Sequence, residues 1–322
     1  DQFNFFDGDI FTFFDEVFAK DPDVAAELAS IPAPPKSVDD VLTHLGPHNL
    51  DYIRFYTEAI DEGDLLVLNG CWPGLQFCWG DYRVSHDFQT SYGGRATPEE
   101  LREALNAMRA FSPRVKASAY NMILSTSYFA PIVKEHPEWY RDKDRDGNRD
   151  SNFPGLQLNW QTMFDLPETR EWVANMEADF SEQMPTDFYY IDEFQMSNTI
   201  DWQRDRVTRD DDAVKCWKLF AARKAKSGKI FFANGSGNPY ADLNFMESPH
   251  ELAPHRWRDW CGVGFGINLM SHLRPGQRTA LLYWYGGNDY ANRVLALGWV
   301  PVDHFNVFNS IPVVRACFQN GA

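Results

Sequence analysis

The sequence predicts an α/β protein, a (β/α)8 TIM barrel with a helical N-terminal lead-in, and three observations carry that expectation. Short apolar runs rich in β-branched and aromatic residues alternate with stretches of helical spacing, the mark of parallel β/α architecture. About eight such strand candidates fall within roughly 260 residues, which is the size of one barrel. The runs end in acids, amides and aromatics, whereas an open doubly wound sheet, the runner-up, would offer a glycine-rich phosphate loop.

In chain order, residues 9–30 are helix-like and acidic, and Pro32-Ala33-Pro34-Pro35 separates them from the next segment. Residues 1–60 are read as a helical segment packed on the barrel, and 61–322 as the barrel. Leu65-Leu66-Val67-Leu68-Asn69, flanked by Gly63 and Gly70, is the first expected strand. Thr97-Pro98-Glu99-Glu100 supplies an N-cap, a proline at the first helical position and a capping glutamate. Leu101, Leu105, Met108 and Phe111 follow at helical spacing. A strand at 115–121, a polar excursion over 134–155 and a weak strand at 156–160 come next. Asp165-Leu166-Pro167-Glu168 opens a helix with Trp172, Met176 and Phe180 on one face, and Pro185 ends it. The strand reaching Asp192 follows, then a basic helix near 210–226, strands at 229–234, 243–247 and 280–285, and a weakly marked last one at 299–302.

The 322 residues carry 46 acidic against 30 basic side chains, a formal charge of −16. Nucleic acid and anionic membranes need basic patches, so neither is an expected partner. No run reaches the roughly 18 apolar residues of a membrane span. The chain begins at Asp1 rather than Met, which predicts a processed or excised protein in an extracellular or periplasmic setting. Of the 5 cysteines, Cys71 and Cys78 are close enough in sequence to pair across one loop. Cys216, Cys261 and Cys317 lie in helix-like segments and read as buried thiols. The absence of a CxxC pair argues against zinc or thioredoxin chemistry.

The most informative stretch is Asp187-Phe188-Tyr189-Tyr190-Ile191-Asp192-Glu193-Phe194. It reads as a buried strand that stops in two carboxylates, and in parallel α/β sheets ligands bind at the carboxyl ends of strands. A buried charge is costly. An acid there is either a catalytic group facing a pocket or a cap or arginine partner for the next segment. Side chains alternate along a strand, so only one of Asp192 and Glu193 faces inward. The two alternating sets are equally apolar, and periodicity does not choose between them.

Other expected strand ends carry Asn69 and Trp72, Tyr120 and Asn121, Asn234, Glu247, and Trp284 and Tyr285. Two carboxylates across a sugar-sized gap supply a nucleophile and a general acid for glycosidic cleavage. Glu247 is the second candidate, with a strand-end salt bridge as its alternative. Tyr120, Asn121, Glu193 and Asn234 would hold sugar hydroxyls, and Trp72, Trp160, Trp284 and Tyr285 would stack on rings. Asn234-Gly235-Ser236 is formally a glycosylation sequon, here read as a ligand contact in the barrel mouth.

His136-Pro137-Glu138-Trp139-Tyr140-Arg141-Asp142-Lys143-Asp144, followed by Phe164-Asp165-Leu166-Pro167-Glu168-Thr169-Arg170-Glu171 and then Phe188-Tyr189-Tyr190-Ile191-Asp192, resembles α-galactosidase (melibiase)-like barrels. The resemblance covers roughly residues 64–250. It implies that Asp192, ending the fourth strand, is the nucleophile of a retaining glycosidase. The family's sixth-strand acid is commonly Asp on a glycine-rich loop, whereas Asn244-Phe245-Met246-Glu247-Ser248 offers Glu247. Dextranase-like barrels, which this sequence also resembles, use a Glu in that role.

Asp142, Asp144, Asp146, Gly147, Asn148 and Asp150 resemble the start of a calcium loop, but Phe153 stands where the bidentate Glu belongs. Lys143, Arg145 and Arg149 neutralise the cluster, so a solvated turn is expected and no metal or other cofactor. His250-Glu251-Leu252-Ala253-Pro254-His255 has one residue too many for HExxH, and Pro254 breaks the helix such a site needs. The expectation is a secreted glycoside hydrolase degrading an oligo- or polysaccharide. A non-hydrolytic carbohydrate-binding barrel, such as a surface or viral assembly protein, is the alternative.

Overall fold

The computed structural model describes residues 10–34, 43–44, 67–69, 97–111, 116–118, 125–127, 130–150, 159–191, 199–234, 238–247, 272, 274–283 and 300–303. Helix α1 (Ile10–Phe13) runs into a π-helical turn at Phe14–Phe18, and α2 spans Pro22–Ser30. Then come β1 (Thr43–His44), β2 (Val67–Asn69), α3 (Pro98–Phe111), β3 (Lys116–Ser118), β4 (Ser125–Ser127), α4 (Pro131–Glu135) and β5 (Asn159–Gln161). They are followed by α5 (Pro167–Gln183), β6 (Phe188–Ile191), β7 (Thr199–Asp201), β8 (Arg206–Thr208) and α6 (Asp210–Ser227). The last strands are β9 (Ile230–Asn234), β10 (Leu243–Glu247), β11 (Arg278–Tyr283) and β12 (Val300–Asp303).

Local chemistry sets the helix ends. Asp21 caps α2 by accepting from the backbone N–H of Asp23 at 2.9 Å and of Val24 at 3.2 Å, and Pro22 fills the first position, where no donor is needed. Helix α5 starts on Pro167 and stops at Met184, whose extended backbone is what a following proline enforces. Helix α6 ends on Gly228 at φ +69, a left-handed position that favours glycine.

Among the described residues, eight strands run parallel, in a three-stranded sheet β1-β2-β3 and a five-stranded sheet β6-β9-β10-β11-β12. β3 lies beside β6, its successor in this chain-ordered set, and β1, the first, lies beside β12, the last. One expected strand changes place, and one strand appears where a helical segment was expected. The one expected at 156–160 falls at Asn159–Gln161 and pairs antiparallel with β4, outside both parallel sheets. Thr43–His44, inside the expected helical lead-in, pairs in parallel with Val67–Leu68. A two-residue strand has no readable period, so only its partner reveals it.

Ile191 of β6 and Phe231 and Ala233 of β9 pack against Phe164, against Val173 of α5, and against Cys216, Phe220 and Ala221 of α6. The Phe220 and Phe231 rings stack with centroids 6.1 Å apart. Burying each ring contributes roughly 1.5–3 kcal/mol. Phe232 and its register partner Leu243 are also buried, yet alternation turns Phe232 away from the helices. Both faces of the sheet are therefore covered, as parallel sheets require.

The amino-terminal edge of this sheet is closed by buried polar groups. Asp242, one residue before β10, pairs with Lys224 and accepts from the Phe231 N–H at 2.7 Å. Gln277, one residue before β11, donates to the carbonyls of Asn238 at 2.9 Å and Ala241 at 2.7 Å. Arg274 ties the same turn to the Pro32 carbonyl at 2.7 Å. Such contacts at the amino-terminal face stabilise the sheet and leave the carboxyl edge for chemistry.

Candidate active site

The register brings specific residues to the carboxyl edge. Ile191 stands opposite Ala233, Ala233 opposite Asn244, and Asn234 opposite Phe245. Glu247 is the last residue of β10, opposite Leu282, and Tyr283 stands opposite Asp303. In the smaller sheet Asn69 ends β2 opposite Ser118 of β3. Of the expected site residues, the backbone of Asn234 and Glu247 thus sits on adjacent strands at one edge. Asp192, Glu193, Trp72, Tyr120, Asn121, Trp284 and Tyr285 lie outside the described residues, as do Cys71 and Cys78. Asp192 directly follows Ile191, the last residue of β6.

One strand-end acid escaped the sequence reading. Asp303 closes β12, and Val300-Pro301-Val302-Asp303 is an apolar run ending in an acid, the same signal that marked Asp192. Pro301 hid it, because proline removes a ladder donor. The structure accommodates it at the end of the hydrogen-bonded order, where, among the described residues, β12 pairs with β11.

Two excursions follow carboxyl ends and lock together. The first leaves β3 and contains β4, α4 and β5; the second leaves β6 and contains the β7–β8 hairpin. Asp142 of the first is buried between Arg149 at 3.0 Å and Arg204 of the second at 3.2 Å. The Trp202 N–H donates to the Asp142 carbonyl at 3.1 Å, and Arg204 donates to the Tyr140 carbonyl at 3.1 Å. Asp201, fully buried, holds Arg204 at 2.8 Å. Asp165 pairs with Arg206 at 3.3 Å, and burial raises its carboxyl above the usual range despite that arginine. Arg170 reaches Asp212 at the start of α6, 3.3 Å away. The Arg170 and Asp165 of the family-like motif therefore join helices and excursions rather than standing free.

Trp160, an expected sugar platform, is half-buried in β5 against the cluster around Trp139 and Tyr140. The Arg149 guanidinium lies over its ring, 5.2 Å from the centroid, so one face is already taken by a cation–π contact.

The 142–150 loop is a hairpin turn with a bridge between Asp142 and Arg149. Asp144 accepts from the Asp146 and Asn148 N–H groups at 3.1 Å each and from the Asn148 side chain at 2.8 Å. The Asn148 bond holds its carboxyl below the usual value. Asp150 pairs with Arg141 at 2.6 Å. These carboxylates point to arginines and backbone donors, not to a common centre. Adding EDTA is expected to leave the melting temperature unchanged. A drop of several degrees, restored by calcium, would show that oxygens converge here after all.

No family model and no curated protein matches this chain. Solved structures do. The maltogenic alpha-amylase AmyB from Thermotoga neapolitana superposes with a TM-score of 0.51 at 13% identity, over 85% of this chain and 70% of that one. The alpha-galactosidase of Thermus thermophilus, in complex with p-nitrophenyl alpha-D-galactopyranoside, gives 0.54 at 11% identity, over 90% and 62%. A cycloisomaltooligosaccharide glucanotransferase from Paenibacillus sp., complexed with cycloisomaltoheptaose, gives 0.52 at 10% identity, over 77% and 38%. This chain spans less than two thirds of the length of the last two. The likeness is one of fold, to glycoside hydrolases of the (β/α)8-barrel type.

Proposed function

We propose that this chain is a glycoside hydrolase on a closed (β/α)8 barrel, with Asp192 as nucleophile and Glu247 as general acid/base, acting by retention. One observation carries the reading: Glu247 and the strand that runs into Asp192 end at one edge of one sheet, with only β9 between them. Two strand spacings of about 4.8 Å separate their backbones by roughly 9.6 Å. Side chains leaning toward each other would bring two carboxyl groups into the range of about 5–9.5 Å that glycosidases use. The contacts of β1 with β12 and of β3 with β6 support closure.

Strand parity supports Asp192 over Glu193. Ile191 packs on the helices, so a residue one further along takes the opposite parity and one two further along repeats that of Ile191. Position 247 likewise has the parity of Leu243, whose partner Phe232 is turned from the helices. Asn234 and the aromatic residues Trp72, Trp284 and Tyr285 would then line the mouth, with Tyr120 and Asn121. The substrate class is an α-linked oligo- or polysaccharide, a choice supported by the names of the alpha-amylase and alpha-galactosidase neighbours. The site of action is outside the cytoplasm, where such polymers are met. The helical lead-in would pack on the barrel, with Thr43–His44 entering its sheet beside β2.

The test is a panel of p-nitrophenyl α-glucoside, α-galactoside and their β-anomers, with the product's anomeric configuration followed by proton NMR. Release from one α-substrate with the α-anomer formed first is the expected result. Formation of the β-anomer first would replace retention by inversion. Binding with no cleavage of any substrate would sink the hydrolase in favour of a carbohydrate-binding barrel.

A further inference from the structure

Among the described residues, the exposed large hydrophobic side chains are Val17, Ile200, Trp202 and Val207, so three of the four belong to one hairpin. Ile200 and Val207 are direct cross-strand partners, and Trp202 lies two positions beyond Ile200. Trp202 is 49% exposed. Its backbone is nonetheless fixed. Its N–H is bonded to the Asp142 carbonyl at 3.1 Å. The buried Asp201 carboxylate accepts from the next two N–H groups, those of Gln203 at 3.2 Å and Arg204 at 3.0 Å. Gln203 packs over Gly147 of the facing loop so closely that an added Cβ would meet its Nε2 at 3.1 Å. With the backbone held this firmly, only the two side-chain torsions of the indole are left to be ordered when a ligand covers it.

We propose that this hairpin is a carbohydrate platform on which Trp202 stacks on a ring of an extended oligo- or polysaccharide, flanked by Ile200 and Val207. The hairpin lies in the excursion between the carboxyl end of β6 and the start of α6, and β6 runs parallel, through β9, to the strand that Glu247 ends. An apolar face with polar neighbours suits the C–H face of a sugar ring with hydroxyls at its rim. Among the described residues, these three side chains fall far short of the roughly 800 Å² per partner that a stable protein interface covers, which favours a narrow chain over a second protein. The platform deepens the hydrolase reading and rests on it for the substrate: it makes that substrate a chain longer than the sugars held at the carboxylates.

Affinity electrophoresis of the whole chain through gels containing soluble starch, dextran or galactomannan tests it, beside kcat/KM on p-nitrophenyl monoglycosides. Wild type should be retarded in at least one gel. Trp202→Ala should weaken that apparent affinity by about tenfold, Trp202→Phe should keep most of it, and the monoglycoside kcat/KM should not change. Equal retardation of Trp202→Ala and wild type, or no retardation of wild type in any gel, overturns the platform. A wild-type dimer in sedimentation that Trp202→Ala dissociates also overturns it, by revealing a protein interface. Trp202-dependent retardation without cleavage of any glycoside leaves the platform standing and removes the hydrolase.

Discussion

Asp192→Asn is expected to lower turnover of an α-glycoside by about a thousandfold or more, the scale of losing a group that acts only in the transition state, with the fold intact. The amide keeps the shape of the carboxylate but is neither a nucleophile nor an anion facing a developing oxocarbenium ion. Glu193→Gln is the informative partner. With β6 extended through position 193, Glu193 would repeat the parity of Ile191, which is buried against α5 and α6, so its amide should cost activity less than about tenfold. Loss only in Glu193→Gln would reverse the assignment. Glu247→Gln should show a different signature. Because a general acid matters least when the leaving group departs unaided, p-nitrophenyl substrates should suffer much less than oligosaccharides. An equal loss on both would remove Glu247 from the acid/base role.

Glu177→Gln is expected to stabilise the protein at alkaline pH and leave it unchanged in acid. Glu177 is buried on the inner face of α5, among Val173, Ala174, Phe180 and Ser181. Burial pushes its carboxyl up from the usual 4.5 to about 8. Between those values the folded state holds a proton that the unfolded state has released, so stability falls as pH rises from about 4.5 to about 8. At roughly 1.4 kcal/mol per unit the wild type loses on the order of 5 kcal/mol across that window. The glutamine has no charge to release. Urea unfolding at pH 5 and at pH 8.5 should give a variant-minus-wild-type difference near zero at the first and of several kcal/mol at the second. Parallel behaviour at both would show that Glu177 ionises freely in the fold.

Much of the fold was legible in the sequence because its signals are local. Pro167 and Pro185 bracket α5, Gly228 closes α6, and the apolar runs at 229–234 and 243–247 fall within a residue of β9 and β10. The elements that escaped lacked length or looked wrong in isolation. β1 is two residues, and Pro301 left the strand expected at 299–302 weakly marked, so that the acid closing it, Asp303, was missed. The β7–β8 hairpin did carry a signal. Thr199-Ile200-Asp201 and Arg206-Val207-Thr208 alternate in polarity, yet each is too short to stand out from a loop.

By itself the sequence determined the order and type of the main elements and the acid, Glu247, that ends β10, since strand propensity, helix caps and proline act over a few neighbouring residues. Only the tertiary structure decided which face of β6 meets the helices, that Thr43–His44 joins the parallel set, and that Asp142 and Arg204, 62 positions apart, bind two excursions together. Those outcomes depend on pairing between distant segments. Phe188 and Tyr190 are as apolar as Tyr189 and Ile191, so nothing local distinguishes the two sides of that strand. The packing of Ile191 beside Phe220 and Cys216 of α6 does.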